Sequence, residues 1–450
     1  MIRRFIFALA TACCLVQQAR AEEIGDLAQT AQTAFSLGQV ELARMLALAV
    51  LNEEPKNATA LAVLAAVGLA THEPQAARQV ARRSFHLAPD KKGKFTAARL
   101  AARASVDLSQ TWAAKYWLRR AIQVAPGPEA EAATVADFLA LRSISRLRFD
   151  LVLSVKPSDN VNQGAEDDLL TIDGHPTWFY FDPSAMALSG IEITANMALR
   201  YRIAGTAAAP TEIGFKAYDR AVSLSDAAKD KAPDAKASDF SNAGFDLFLL
   251  HKRALGQDRL LSAGITFGTS FLAGDRYADR ARADFSLITA LDSRSQTRFG
   301  FSLERQWLAG PSPAATAFTL DAGYQHRLKG GDLLAVKLEL GQTISEDENQ
   351  ENRKIGASLR YALGKPVAGM EISGELDATA RDYPVFFSGI FNDSGRQDLS
   401  LSASLELAMP KLGLYGFEPV LSLEASKTRS NVSRYSGEAA GIGLRIESSF

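Results

Sequence analysis

The feature that most constrains this chain is the period-two alternation of its last stretch, Glu438 to Phe450, which reads EAAGIGLRIESSF. Ala440, Ile442, Leu444, Ile446 and Phe450 share one parity, while Arg445 and Glu447 share the other. Successive side chains of a strand point to opposite faces, so the segment has one greasy and one polar side. Ending on an aromatic, it suits a wall with lipid outside and water inside. An open sheet cannot sit in a bilayer, because its edges would leave unpaired N–H and C=O groups in hydrocarbon. The segment therefore predicts a closed β-barrel that the rest of the chain must supply.

Alternation starts near Arg146, where Phe149, Leu151, Leu153 and Val155 interleave with Arg148, Asp150, Val152 and Ser154. Further alternating segments follow at about 187–204, 212–224, 244–252, 258–271, 279–291, 295–308, 315–328, 332–344, 352–363, 369–382, 397–409, 418–430 and 438–450. That makes fourteen strands, an even number, as a single-chain antiparallel transmembrane barrel requires. Faces sort cleanly in several of them. Ala281, Ala283, Phe285 and Leu287 oppose Arg280, Arg282, Asp284 and Ser286, and Leu399 to Leu407 oppose Asp398 to Glu406. An arginine on the lipid face at mid-membrane costs about 2–4 kcal/mol, so the charged parity takes the lumen.

The connections alternate too. Those around 205–210, 254–257, 292–294, 329–331 and 364–367 are short, whereas 157–186, 225–243 and 383–396 are long. Short periplasmic turns and long outer loops are the outer-membrane pattern, which a soluble sandwich or propeller does not predict. Residues 225–239, SDAAKDKAPDAKASD, read as a solvated, mobile loop. The stretch Tyr383 to Phe391 is apolar instead. Its Phe386, Phe387 and Phe391 admit three roles: a gate or plug in the lumen, contact with a client, or packing among loops.

Before the barrel, residues 22–145 are rich in Ala, Leu, Arg and Gln with helical spacing. Pro55, Pro89 and Pro126 close similar segments, 34 and 37 residues apart. Twelve residues before them stand Ala43, Ala77 and Ala114, and twenty-four before them Ala31, Ala65 and Ala102. Small residues at fixed offsets let paired helices approach closely, and proline then stops the second helix. A period near 34 with this layout resembles tetratricopeptide repeats stacked as an α-solenoid. Three degenerate repeats and a closing helix are expected, with Arg99 and Arg103 of the third repeat as candidate client-binding residues on the inner face.

Residues 1–21 read as a signal peptide: Arg3 and Arg4, an apolar run from Phe5 to Val16, and Ala19-Arg20-Ala21 for cleavage. A second reading lipidates Cys13, but the residue at its −3 position is Ala10 rather than Leu. Both cysteines, Cys13 and Cys14, fall inside this leader, so the processed chain would have no disulfide and no thiol chemistry. The domain expectation is thus a leader at 1–21, a periplasmic helical domain at 22–145 and an outer-membrane barrel at 146–450.

Fifty basic against 51 acidic side chains leave no electrostatic footprint for nucleic acid. The five histidines, His72, His86, His175, His251 and His326, show no metal-ligand spacing. Glu346-Asp347-Glu348 lacks the spaced ligands of a calcium loop. With no phosphate loop and no nucleophile elbow either, the expectation is a chain without catalytic residues, metal or cofactor.

Three stretches carry a family resemblance: Lys156-Pro157-Ser158-Asp159-Asn160-Val161-Asn162, Phe417-Glu418-Pro419-Val420-Leu421, and Ser430-Asn431-Val432-Ser433-Arg434-Tyr435. With the order of leader, helical repeats and fourteen-stranded barrel, the chain resembles the surface lipoprotein assembly modulator (Slam) family. The resemblance implies an outer-membrane translocator for surface lipoproteins or small secreted ligand-binding proteins. Its partners would be that client, outer-membrane lipid and the barrel-insertion machinery, for which Phe450 is the expected recognition signal. Asp159, Asn160 and Asn162 are candidate client contacts under this resemblance, although Asx side chains at such positions also build turns. Two other classes stay open. A polysaccharide exporter would want a longer repeat array and a lumen of one charge sign, and a diffusion porin leaves the helical domain without a purpose.

Overall fold

The computed structural model describes residues 24–387, 391, 392, 394–413 and 417–448. The leader and Phe450 lie outside them. The chain divides at Ser145/Arg146 into two compact units.

The first unit is all helix: α1 over 24–36, α2 (Val40–Glu53), α3 (Ala58–Ala70), α4 (Pro74–Leu87), α5 (Lys91–Asp107), α6 (Thr111–Gln123) and α7 (Pro128–Ile144). The punctuation is local chemistry. Asn57 and Asp90 accept the N–H groups of Ala60 and Gly93 as N-caps, and Pro74 and Pro128 occupy first turns, where a missing N–H costs nothing. All six alanines at the proline-defined offsets are buried. They let the helices close on one another, most tightly where a Cβ on Gly68 would stand 3.3 Å from that of Ala77. Phe85, Trp117, Leu118 and Phe138 fill the larger spaces between the helices.

The second unit is a closed antiparallel barrel of fourteen strands. They are β1 (Leu147–Ser158), β4 (Gly190–Gly205), β5 (Pro210–Leu224), β6 (Asn242–Leu255), β7 (Arg259–Leu272), β8 (Asp275–Ala290), β9 (Ser295–Leu308), β10 (Ala315–Arg327), β11 (Leu333–Ser345), β12 (Asn352–Ala362), β13 (Glu371–Tyr383), β16 (Arg396–Ala408), β17 (Phe417–Ser430) and β18 (Gly437–Ser448). Each pairs with its neighbour in the chain, and β1 closes the wall against β18. The registers keep the parities apart: Leu153 faces Ile446, Ala378 faces Leu401, and Leu405 faces Leu423 along the exposed apolar side. Apolar outside and charged inside, this is the wall of an outer-membrane barrel.

Two long loops are more structured than their composition suggested. Residues 159–189 hold a hairpin of β2 (Leu169–Ile172) and β3 (His175–Tyr180), turned by Asp173 and Gly174, both at positive φ. A two-residue Asp-Gly turn matches the twist of the strands it joins. The 225–239 segment, expected as an irregular solvated loop, instead forms α8 (Asp226–Lys231), N-capped by Ser225. Its Ala228 and the following Ala232 are buried against Val161, Leu188 and Leu224. The two alanines supply an apolar edge, so the charged residues point outward without unravelling the turn. A further hairpin, β14 (Phe386–Phe387) with β15 (Phe391–Asn392), sits in the loop between β13 and β16.

Candidate functional site

The lumen is lined by cross-strand ion pairs rather than by one sign of charge. Arg280 holds Asp246 through one terminal nitrogen, which donates to both carboxylate oxygens at 2.7 and 2.8 Å, and through Nε at 3.1 Å, over Gly268, where any Cβ would collide with that carboxylate. Arg220 pairs with Glu192 at 3.0 Å, Arg148 with Glu212 at 3.5 Å, and Lys156 with Glu424 at 3.1 Å. Glu406 binds Arg445 at 2.9 Å, and Glu339 is shared by Lys337 and Lys354. Arg220–Glu192 and Lys354–Glu339 join adjacent strands, Lys337 and Glu339 share one, and the other pairs reach across a single intervening strand, so charge is cancelled locally around the wall. Such a surface presents no deep electrostatic trap to a charge of either sign.

At the long-loop end, the loops after β1, β5, β11, β13 and β17 are stitched into an arc. Asn160 accepts the Gly164 N–H at 2.7 Å and donates to the Gly164 carbonyl at 3.0 Å. Asn162 accepts from the Leu188 N–H at 2.9 Å and donates to the carbonyls of Ser184 and Met186 at 3.0 and 2.7 Å. Together they fold the first loop back on itself. Gly164 permits the closure, because a Cβ there would stand 2.2 Å from the Met186 carbonyl carbon. The folded loop is then anchored on the lumen side: Arg220 donates to the Val161 and Phe240 carbonyls at 2.6 and 2.7 Å. Asp159 is exposed. A cavity of about 410 Å³ remains between this loop and the wall, with Asn160, Gln163, Arg220 and Tyr435 on its border.

The motif at 430–435 meets the first loop here. Arg434 donates to the Gln163 carbonyl at 3.0 Å, and Ser433 accepts the Thr171 N–H at 2.8 Å. Asp173 accepts from Ser394 Oγ at 2.5 Å and Asn431 Nδ2 at 2.9 Å, and these hydrogen bonds hold its carboxyl below the usual range. Beside them Arg396 grips Asp398 at 2.7 Å, with its guanidinium 3.4 Å from the Tyr435 ring centre, 4.1 Å from Tyr383 and 5.1 Å from Phe386. Phe386 is buried with Leu170 and Val432, whereas Phe387 is exposed and exchanges backbone hydrogen bonds with the Asn349 side chain. The side chain of Phe391 lies outside the described residues. Asn160, Asn162 and Phe386 thus meet within one loop arc, while Arg99 and Arg103 belong to the helical unit.

There, Arg99 of α5 binds Thr134 at 2.9 Å and Asp137 at 2.8 Å on α7. Arg103 is mostly exposed and pairs with Asp107 one turn on. Among the described residues no cluster of three or more His, Cys, Asp or Glu is arranged to hold a metal ion. Sequence reasoning missed Arg220, whose partners Glu192, Phe240 and Val161 are distant in the chain, and Arg396, whose ring partners Tyr383, Phe386 and Tyr435 come from two separate loops. It also missed Asp173, although the Asp-Gly pair between apolar residues was a visible hairpin signal.

No curated protein matches the sequence. Among solved structures, the chain is similar to the outer membrane channel DcaP of Acinetobacter baumannii. The two are 8% identical over 68% of this chain and 97% of that one, with a TM-score of 0.39. It is also similar to OccAB3 of Acinetobacter baumannii, at 9% identity over 66% and 98% with a TM-score of 0.36. A third is the loop L8 deletion mutant of OmpT, an outer membrane protein of Vibrio cholerae, at 9% over 67% and 100% with a TM-score of 0.33. Residues 343–450, from the end of β11 through β18, match the family model of the surface lipoprotein assembly modifier, the family that the loop motifs of this chain resemble.

Proposed function

We propose that this chain is an outer-membrane translocator that moves client proteins, surface lipoproteins or small secreted ligand-binding proteins, from the periplasm to the cell surface. The match of residues 343–450 to the surface lipoprotein assembly family carries this reading. The matched segment supplies β12, β13 and β16 to β18, together with the 430–435 motif that ties the mouth loops. In this reading the helical unit lies in the periplasm and receives the client, and the barrel gives it passage. The locally cancelled charges of the lumen suit an unfolded polypeptide, whose own charges vary along its length. The loop arc parts as the client emerges, and folding of the client outside biases the direction. No step needs a catalytic centre or a nucleotide. The mixed lumen disfavours an exporter of a polyanionic polymer, which would be drawn by a basic wall.

Deleting residues 22–145 while keeping the leader separates the two units. The barrel is expected to insert and to keep its heat-modifiable mobility, while display of a co-expressed client, read by protease shaving of intact cells, falls to background. Normal display after the deletion would reject the proposal.

A further inference from the structure

Total charge hides a strong local bias. Residues 74–123, the span of α4 to α6, carry eleven lysines and arginines and only two acids, Asp90 and Asp107. Both acids are engaged: Asp90 caps α5 through the Gly93 N–H at 2.6 Å, and Asp107 pairs with Arg103 at 3.2 Å.

Within this basic span, α4 and α6 enclose a groove of about 390 Å³. Arg78, Arg82 and His86 border it from α4, and Trp112 and Tyr116 border it from α6. Its floor includes the buried Trp117, held edge-on to Phe85 at 5.5 Å. No carboxylate lines it. Trp112 is 70% exposed and Tyr116 45% exposed, an unusual amount of aromatic surface to leave in water. Arg78 is held in place by the Gln110 side chain, and Arg82 makes no ion pair among the described residues.

We propose that this groove docks an acidic peptide segment carrying an aromatic or aliphatic anchor. The inference rests on the translocation reading, in which the segment belongs to the client. The anchor packs between Trp112 and Tyr116 on the Trp117 floor, and flanking carboxylates meet Arg78 and Arg82. Aromatic and arginine side chains around a small pocket are the composition of a binding hot spot, and the basic field speeds encounter with an acidic partner. The site lies on the second helices of two successive pairs, not on α5, where Arg99 and Arg103 sit. An anionic membrane surface would use the charge but leave the pocket without a purpose, so a peptide fits both observations.

The test uses the full chain in neutral detergent and fluorescence anisotropy. The probes are a labelled peptide of glutamates and aspartates around one tryptophan, its glutamine and asparagine counterpart, and phosphatidylglycerol vesicles. The acidic peptide is expected to bind, with Arg82→Glu and Trp112→Ala each weakening it about tenfold and the exposed Arg44→Glu on α2 leaving it unchanged. The neutral peptide should fail to bind. Both informative residues are exposed, and circular dichroism checks that the variants keep their helices. Equal binding by Trp112→Ala, equal binding of the neutral peptide, or binding of the vesicles alone would overturn the proposal. Client display is scored separately on cells. Peptide binding without display by the unaltered chain sinks translocation and leaves the groove. Display with no peptide binding sinks the groove and leaves translocation.

Discussion

Asn162 shows how much one side chain can hold in this molecule. It satisfies one N–H and two carbonyls of the 184–188 segment, none of which has a strand partner there. Asn162→Ala orphans all three, and loosening of the first loop by about 2 kcal/mol is expected. The check is faster limited proteolysis within 159–189, with strand content unchanged. If cleavage kept its original rate, the asparagine would have no structural part and its place in the motif would need another cause. Asp173 adds a pH dependence whose sign follows from its hydrogen bonds. Ser394 and Asn431 favour the ionised form, so the folded-state pKa is depressed and the tie persists above the unfolded value. It is lost only as pH falls through the depressed value, below about 3.9. Hydrogen exchange at 431–436 should therefore stay slow from neutral pH into mild acid, and Asp173→Asn should remove the acid-induced release. The Asx residues were legible as turn formers, and Asn160 does close a turn onto Gly164, whereas the partners of Asn162, 22 to 26 residues away, were not, because nothing local encodes them.

At the scale of elements, the helices were the more readable half. The proline spacing located six alanines, and each is buried at a helix contact because close approach demands a small residue whatever the wider context. Ala114, fully buried in the cluster with Phe85 and Trp117, tests that demand. Ala114→Leu adds volume where none is free and should cost about 1–3 kcal/mol, read as a lower midpoint of the helical signal on heating. An unchanged midpoint would mean that the helices can separate to admit it. The α8 turn was less readable, since its lysines and aspartates outweigh the two alanines that fix it. The basic run from Arg78 to Arg120 was in plain view, yet the near-zero total charge of the chain concealed it. Charge must be read element by element when a binding face is only two helices wide.

For the whole molecule, strand number and facing followed from period two alone, but the line along which the wall closes did not. Closure depends on a register between the first and last strands that no local pattern specifies. Among the described residues, β1 and β18 are paired over four positions, from Val152 opposite Glu447 to Val155 opposite Leu444. Every other neighbouring pair in the wall is registered over ten or more. Pro157, near the loop end of β1, has no N–H to lend to either neighbour. Among the described residues the seam is the least cross-linked line of the barrel, and unfolding should begin there. Val155→Cys with Leu444→Cys puts two thiols on directly opposed positions, in a chain whose only native cysteines are Cys13 and Cys14. Oxidation of that pair should raise the temperature at which the barrel changes mobility on a gel, and reductant should reverse the gain. The same bridge between Ala378→Cys and Leu401→Cys, across strands paired over thirteen positions, should change it little. Equal gains from both bridges would place the weak line elsewhere.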